Sequence, residues 1–287
     1  MTVIGVVGGS GVYDLDGLED ARWVAVETPF GHPSDEVLHG TLDGVEYRFL
    51  PRHGRGHRIP PSAIDFRANI DALKRTGVTD LVSVSACGSL REELSPGTFV
   101  LVDQFVDRTF ARTKTFFDAG IAAHVALADP ACGRLHDALE QAGETVGVEL
   151  VRGGTYLAME GPQFSTRAES HLYRSWGCDV IGMTNMPEAK LAREAELCYA
   201  TVAMVTDYDC WHPHEADVDV TDIVAVLTDN AHRGRSLVAA LAPVLAGRTV
   251  PCTHGCDRAL DGAILTAPDA IDPDARARLD AVAGRVL

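Results

Sequence analysis

Seven successive residues without a charge, Tyr199-Ala200-Thr201-Val202-Ala203-Met204-Val205, run into Thr206 and then into two carboxylates, Asp207 and Asp209. The run contains β-branched residues and is short, so it predicts a strand buried on both faces. Such a strand needs a sheet covered on both sides. In parallel α/β sheets, ligands collect outside the carboxyl ends of the strands, which is where the two carboxylates stand. Side chains at i and i+2 of an extended chain point the same way. The pair therefore offers one ligand two acceptors, or one acid and one acceptor. A 6-amino purine, with donors on its exocyclic nitrogen and a ring nitrogen that takes a proton, suits such a pair. An Asp-rich turn opening a loop fits the pair alone equally well.

Strand-like and helix-like segments alternate elsewhere too. Val3 to Val7, Tyr47 to Leu50, Leu81 to Val84, Phe99 to Val102 and Val180 to Met183 read as further strands. Helical patterns run from about Ile64 to Arg75, with Phe66, Ile70 and Leu73 on one face, and from Leu135 to Ala142. Others cover Pro187 to Leu197, where Pro187 suits a helix N1 position, and Thr221 to Leu241, interrupted by Gly234. The alternation predicts an α/β fold with a central mixed β-sheet flanked by helices. Neither a repeat nor a low-complexity linker divides it, so residues 1–247 read as one domain. Residues 248–287, richer in Pro, Asp, Arg and Gly, read as a tail or peripheral appendage of unknown role.

Charge and cysteine usage remove whole classes of function. A net charge of −16 argues against nucleic acid, which demands a basic face. No run of 18 or more apolar residues is present, so no membrane span is expected, and Met1 to Gly5 lacks the basic start of a signal peptide. Seven cysteines are an odd number, and Cys87, Cys178 and Cys198 sit inside apolar runs as small core residues. The reducing cytosol is the expected compartment. Cys252-Thr253-His254-Gly255-Cys256 hints at a metal, but it brings only three candidate ligands together where structural zinc takes four. No metal is expected.

Several strand-end turns suit an anion. Gly8-Gly9-Ser10-Gly11 follows the first strand without the glycine spacing of a dinucleotide fold or a Walker lysine. What remains is a turn of exposed N–H groups and one hydroxyl, able to cradle a single phosphate or simply to turn the chain tightly. Arg52-His53-Gly54 ends another strand, with a planar cationic fork beside a histidine donor. Ser85-Ala86-Cys87-Gly88 ends a third with small residues that admit close backbone approach, Cys87 itself reading as packing. Further on, Ser165 is a fair helix N-cap, Phe164 can stack on a flat base, and Met183 and Thr184 stand at another strand end.

These blocks carry a family resemblance. Gly8–Gly11, Thr28–Gly31, Arg52–Gly54, Ala86–Glu93, Asp103–Thr109, Glu160–Ser170, Met183–Ala189 and Thr206–Trp211 resemble, in order, the methylthioadenosine phosphorylases. These form part of the trimeric branch of the purine nucleoside phosphorylase superfamily. The similarity extends from about Val3 to Leu245. It implies that Ser10, Arg52, His53, Ser85, Ala86 and Thr184 hold phosphate, that Met183 packs on the ribose, and that Phe164 and Ser165 line the base pocket. Asp207 and Asp209 would face purine N7 and the 6-amino group. Val220, Ile223 and Val224 would form a dry slot for a 5′-methylthio group, and His124 would reach the slot of a neighbouring subunit in a homotrimer.

The implied reaction is phosphorolysis of 5′-methylthioadenosine to adenine and 5-methylthioribose 1-phosphate. The alternative is the same chemistry with a preference for methylthioinosine, adenosine or another 5′-substituted deoxyadenosine. The glycosidic bond breaks toward an oxocarbenium-like cation and phosphate attacks C1′ from the opposite face. Asp207, its pKa raised by burial near Asp209, would protonate N7. Phosphate is a co-substrate, and no organic cofactor is needed. A hydrolytic nucleosidase or a passive nucleoside binder has no use for the anion-suited Ser10, Arg52, His53 and Thr184.

Overall fold

The computed structural model describes residues 2–287 except 10, 12, 119, 213–219 and 249, and for 220–225 the backbone alone. Its strands are β1 (Val3–Gly8), β2 (Glu19–Val24), β3 (Val37–Leu42), β4 (Val45–Pro51), β5 (Asp80–Ser89), β6 (Phe99–Val102), β7 (Gln104–Asp107), β8 (Leu150–Arg152), β9 (Thr155–Ala158), β10 (Val180–Gly182) and β11 (Cys198–Asp207). Its helices are α1 (Phe66–Arg75), α2 (Gly133–Val146), α3 (Arg167–Ser175), α4 (Asn185–Glu194), α5 (Val220–Ala239), α6 (Leu241–Leu245), α7 (Pro273–Arg278) and α8 (Asp280–Ala283).

The strands form one mixed sheet. β1 lies parallel between β4 and β5, and β5 runs parallel to β11. The ends of β4, β1, β5 and β11 therefore share one edge. β10 meets the tip of β5 antiparallel, and β9 and β7 continue from it in parallel. β2 and β3 add an antiparallel edge beside β4, while β6 and β8 extend from β11.

Strand periodicity sorts the core into two layers. Val3, Val7, Leu81, Tyr199, Ala203 and Val205 belong to one buried cluster, and Ile4, Val6, Val82, Ala200, Val202 and Met204 to another. Alternate residues thus face opposite sides of the sheet, and β1 and β11 up to Thr206 carry no charge because both faces are covered. The first layer is closed by Ile70 and Leu73 of α1 and Leu191 of α4, the second by Leu135 and Leu139 of α2 and Leu237 of α5. Burying each such leucine contributes roughly 1.5–3 kcal/mol.

Capping decides where several helices begin. Asp65 accepts from Ala68 N at 3.1 Å, so α1 starts at Phe66, two residues beyond the predicted Ile64. α3 is capped by Thr166 rather than Ser165, because Glu169 stands three residues after Thr166 and the two exchange side-chain and backbone bonds in a capping box. In α4, Met186 is extended, so regular helix starts at Pro187, as the sequence predicts. α5 passes through Gly234 unbroken; a Cβ there would approach the Met204 sulfur at 3.4 Å.

Residues 248–287 supply buried side chains to both layers. Leu260, Ala275, Leu279 and Val282 join the first, and Cys252 and Cys256 the second.

Candidate active site

The shared strand edge opens into a cavity of about 490 Å³. Gly9 and Gly11 line it after β1, Arg52 and His53 after β4, and Ser85 and Ala86 from β5. Thr184 reaches it after β10, and Met204 from β11. Every phosphate residue expected from the sequence, apart from Ser10, which lies outside the described residues, thus meets in one space. The Ser85 and Thr184 hydroxyls touch at 2.7 Å. His57, Val84, Leu227, Thr228, Ala231 and Arg235 complete the wall, and no strand-end turn in the sequence marks His57 or the four residues of α5.

Arg52 is 1% exposed, and most of its donors are already used. Nε donates to Glu188 Oε2 at 2.8 Å, and Nη2 to Ser83 Oγ at 2.6 Å, to Glu188 Oε1 at 3.1 Å and to Val7 O at 3.2 Å. Nη1 donates to Val84 O at 3.1 Å, leaving its second hydrogen for the cavity. Glu188 is the hub of this network. Its Oε1 also accepts from Ser83 Oγ at 2.7 Å and Tyr199 Oη at 3.0 Å, and Asn185 Nδ2 ties in Ser83, Tyr199 and Thr201. Beneath the cradle lies a buried polar raft in which one carboxylate offsets one guanidinium.

His53 is neutral at physiological pH, because burial, with Arg52 and His57 nearby, pulls its pKa down to about 4. Its ring stacks on His57 with centroids 4.3 Å apart. Nδ1 lies 2.9 Å from Ile59 O, which fixes the proton there and leaves Nε2 as an acceptor. The histidine expected as a phosphate donor is therefore, in this state, an acceptor at its free nitrogen.

The other end of the site is built where β11 stops. Its register against β5 shifts between Val205 and Asp207, and the irregularity re-aims the end of the strand. Asp207 Oδ2 accepts from Thr206 Oγ1 at 2.7 Å and Oδ1 from Asp209 N at 2.8 Å. Asp209 adopts φ +51° and is buried, with no hydrogen-bond partner for Oδ2 among the described residues. Burial, reinforced by the Asp207 charge, raises the Asp209 pKa. Sequence reasoning assigns the raised acid to Asp207; the structure raises Asp209, the more enclosed of the two. Gly88 of β5 faces the pair, and a Cβ there would sit 2.8 Å from Asp207 Oδ1.

Ser165 joins this end, its carbonyl accepting from the Cys210 thiol at 3.3 Å, while Phe164 stands half exposed beside it in sequence. Met183 packs against Gly161, where a Cβ would meet its sulfur at 2.5 Å. Cys87 is buried between the two ends, its thiol pKa raised by desolvation and then by Asp207, which fits packing and not nucleophilic attack. The side chains of Val220, Ile223 and Val224 lie outside the described residues. His124 is exposed, its backbone N–H bonded to Ala263 O at 2.9 Å, and it does not line this cavity.

Elsewhere the structure overturns a premise about metals. The sequence shows only three candidate ligands close together, Cys252, His254 and Cys256. In the fold, Cys132 and Cys198 join Cys252 and Cys256, so that four buried thiols converge, and His254 stays exposed.

The sequence profile of the phosphorylase superfamily matches residues 3–243. An S-methyl-5′-thioadenosine phosphorylase of Cereibacter sphaeroides is 66% identical over 286 residues, covering 100% of this chain and 99% of its own. One from Rhodospirillum rubrum is 61% identical over 99% of this chain and 97% of its own. Among solved structures, a methylthioadenosine phosphorylase sourced from an Antarctic soil metagenomic library superposes with a TM-score of 0.92 at 45% identity, covering 98% of both chains. The Schistosoma mansoni methylthioadenosine phosphorylase in complex with adenine gives a TM-score of 0.84 at 34% identity, over 92% of this chain and 99% of its own.

Proposed function

The chain belongs to the phosphorylase superfamily, and on that premise we propose how its residues divide the work of one reaction. The activity is phosphorolysis of S-methyl-5′-thioadenosine to adenine and 5-methylthioribose 1-phosphate, a pentosyl transfer to phosphate. The observation that carries the division of labour is the end of β5. Ser85 and Ala86 line the anion-suited cavity, and Gly88 faces the two aspartates. Three residues of extended chain span roughly 10 Å, about the separation of phosphate and purine across a ribose.

Phosphate binds at Gly9, Ser10, Gly11, Arg52, Ser85, Ala86 and Thr184. His53, a neutral acceptor at Nε2, takes the hydroxyl hydrogen of a protonated phosphate. As the glycosidic bond lengthens, positive charge develops on the ribosyl group. The phosphate dianion stabilises that charge from the opposite face and closes on C1′ with inversion. Asp207 and Asp209 hold adenine between them and share one proton, which reaches N7 as the base leaves. Burial, reinforced by the Asp207 charge, raises the Asp209 pKa and so favours the protonated form there over an ordinary carboxyl. Phe164 and Ser165 wall the base, Met183 lies on the ribose, and the 5′-methylthio group enters the slot of Val220, Ile223 and Val224. No organic cofactor takes part. In this reading the enzyme is a cytoplasmic homotrimer, and His124 reaches the neighbouring subunit's slot.

The test is purine release from methylthioadenosine, adenosine, methylthioinosine and inosine, each with and without phosphate. Adenine release that requires phosphate and is fastest for methylthioadenosine is expected. Release without phosphate would overturn the cradle, and preference for the inosine forms would overturn the base reading.

A further inference from the structure

We propose that Cys132, Cys198, Cys252 and Cys256 form a structural zinc site that staples residues 248–287 to the sheet. The four sulfurs lie within 4.8 Å of one another and all four residues are buried. Cys132 and Cys252 place their sulfurs 3.6 Å apart. Four thiolates at about 2.3 Å around a tetrahedral ion stand about 3.8 Å from each other, close to the Cys132–Cys252 separation and within the 4.8 Å that bounds the set. A disulfide needs about 2.0 Å, and all seven cysteines are free thiols in the fold.

The ligands come from three places that the fold fixes independently. Cys132 is the residue before α2, its N–H bonded to Tyr199 O at 2.7 Å. Cys198 opens β11, bonded through its N–H to Thr79 O at 3.0 Å. Cys252 and Cys256 flank a tight turn in which Gly255, at φ +67°, donates to Cys252 O at 2.9 Å. Cys252 N also donates to Asp257 Oδ2 at 2.9 Å. Two ligands from the framework and two from a Cys-x-x-x-Cys knuckle give the closed, four-coordinate set of a structural site.

Charge is provided for as well. Four thiolates on a divalent ion carry a net charge of −2, which a buried site must offset. Arg248 Nη1 donates to Cys198 Sγ at 3.7 Å; Arg248 and Arg134 share the buried Asp80, so the three side chains together place one positive charge beside the site and offset half of its charge. The start of α2 adds the positive end of a helix dipole at Cys132. Soft thiolates without oxygen or imidazole select zinc over the hard divalent cations. Each ligating thiol releases its proton to solvent on binding. The site is remote from the chemistry. Cys198 and Asp207 are the two ends of β11, roughly 30 Å apart for ten extended residues.

The experiment uses the full chain, purified with a reductant and without chelator from zinc-supplemented cells. One equivalent of zinc per chain by elemental analysis is expected. Replacing it with Co²⁺ should give intense sulfur-to-cobalt charge transfer and the visible bands of tetrahedral cobalt. Cys256→Ser should lose the zinc and lower the Tm while kcat at low temperature stays close to that of the parent; Cys178→Ala should keep its zinc. If Cys256→Ser does not fold, the cobalt spectrum of the parent chain decides alone. Seven free thiols with neither zinc nor a cobalt spectrum would overturn the proposal. So would an unreduced chain lighter by four hydrogens, which means two disulfides, or iron in place of zinc.

Discussion

Arg52 and Glu188, 136 residues apart, meet as a two-point ion pair, Nε to Oε2 at 2.8 Å and Nη2 to Oε1 at 3.1 Å, both side chains almost wholly buried. The pair turns an otherwise mobile guanidinium into a fixed wall of the cavity. Removing one partner of such a pair leaves the other charge unpaired and costs about 3–5 kcal/mol. Arg52→Ala therefore damages folding as well as binding. Glu188→Gln also leaves a buried charge unpaired, but it keeps the shape of the raft and leaves the guanidinium in the cavity wall, so it is the more informative change. We expect the phosphate KM to rise by about tenfold or more, the order of one charge-assisted hydrogen bond, with the nucleoside KM changed less. Steady-state kinetics with each substrate varied decides it. Equal rises would show that Arg52 does not position phosphate.

The aspartate pair separates by a paired substitution. Asp207→Asn removes an acceptor whose two oxygens are already engaged by Thr206 and Asp209. It should lower kcat/KM for methylthioadenosine by about 10²–10⁴-fold, the usual worth of proton transfer to the leaving group. Asp209→Asn removes the carboxyl whose pKa is raised, so it should lower kcat/KM as well, and by changing what the pocket offers a 6-substituent it should narrow the preference for 6-amino over 6-oxo purines. Rates on methylthioadenosine and methylthioinosine measure both. Unchanged selectivity in Asp209→Asn would remove Asp209 from base recognition.

Sequence reading succeeded where the signal is local and failed where it depends on distant partners. β1, β6 and the first nine residues of β11 are legible because each is an uncharged run buried on both faces. The cradle is legible because strand-end turns of small and anion-binding residues are visible one at a time. β2, with its sequence Glu-Asp-Ala-Arg-Trp-Val, carries almost no strand pattern, and only pairing with β3 makes it a strand. Glu188 is invisible as a hub because its partners lie at Arg52, Ser83 and Tyr199. The four-thiol cluster is hidden likewise, since Cys132 and Cys198 look like ordinary core residues until α2 and β11 bring them to the knuckle.

Gly88 tests how tightly Asp207 is held. A methyl group there would lie 2.8 Å from Asp207 Oδ1 and 3.2 Å from Ile181 Cγ2, so the carboxylate, at the end of the strand, must move. Displacements of about 1 Å in a catalytic group can cost about 10²-fold in rate. Gly88→Ala should therefore lose activity on that order while its melting temperature falls only a little. A large fall in Tm with activity retained per folded molecule would mean that the strand and not the carboxylate gives way.

The pH dependence of stability follows from buried titrating groups. His53 and His136 are both pulled from 6.5 to about 4, chiefly by desolvation. Between those values the unfolded chain binds protons that the folded chain refuses, so stability rises with pH across the window and is lost as pH falls from 6.5 to 4. Each histidine takes away about 3 kcal/mol of stability by the acid end of that window. Glu194 acts in the opposite sense: desolvation raises its carboxyl to about 7, so its contribution is complete below 4.5 and fades as pH rises toward 7. His39 is pulled down to about 4 by desolvation as well, so three histidines oppose the one glutamate and the net slope between pH 4.5 and 6.5 is positive. His136 sits on α2, buried, with no partner for Nε2 among the described residues, and outside the active-site cavity. His136→Leu should therefore flatten the slope by about 1.4 kcal/mol per pH unit, one proton's worth. Denaturant titrations at half-unit intervals from pH 4.5 to 6.5 measure it, and an unchanged slope would show that His136 is already charged in the fold.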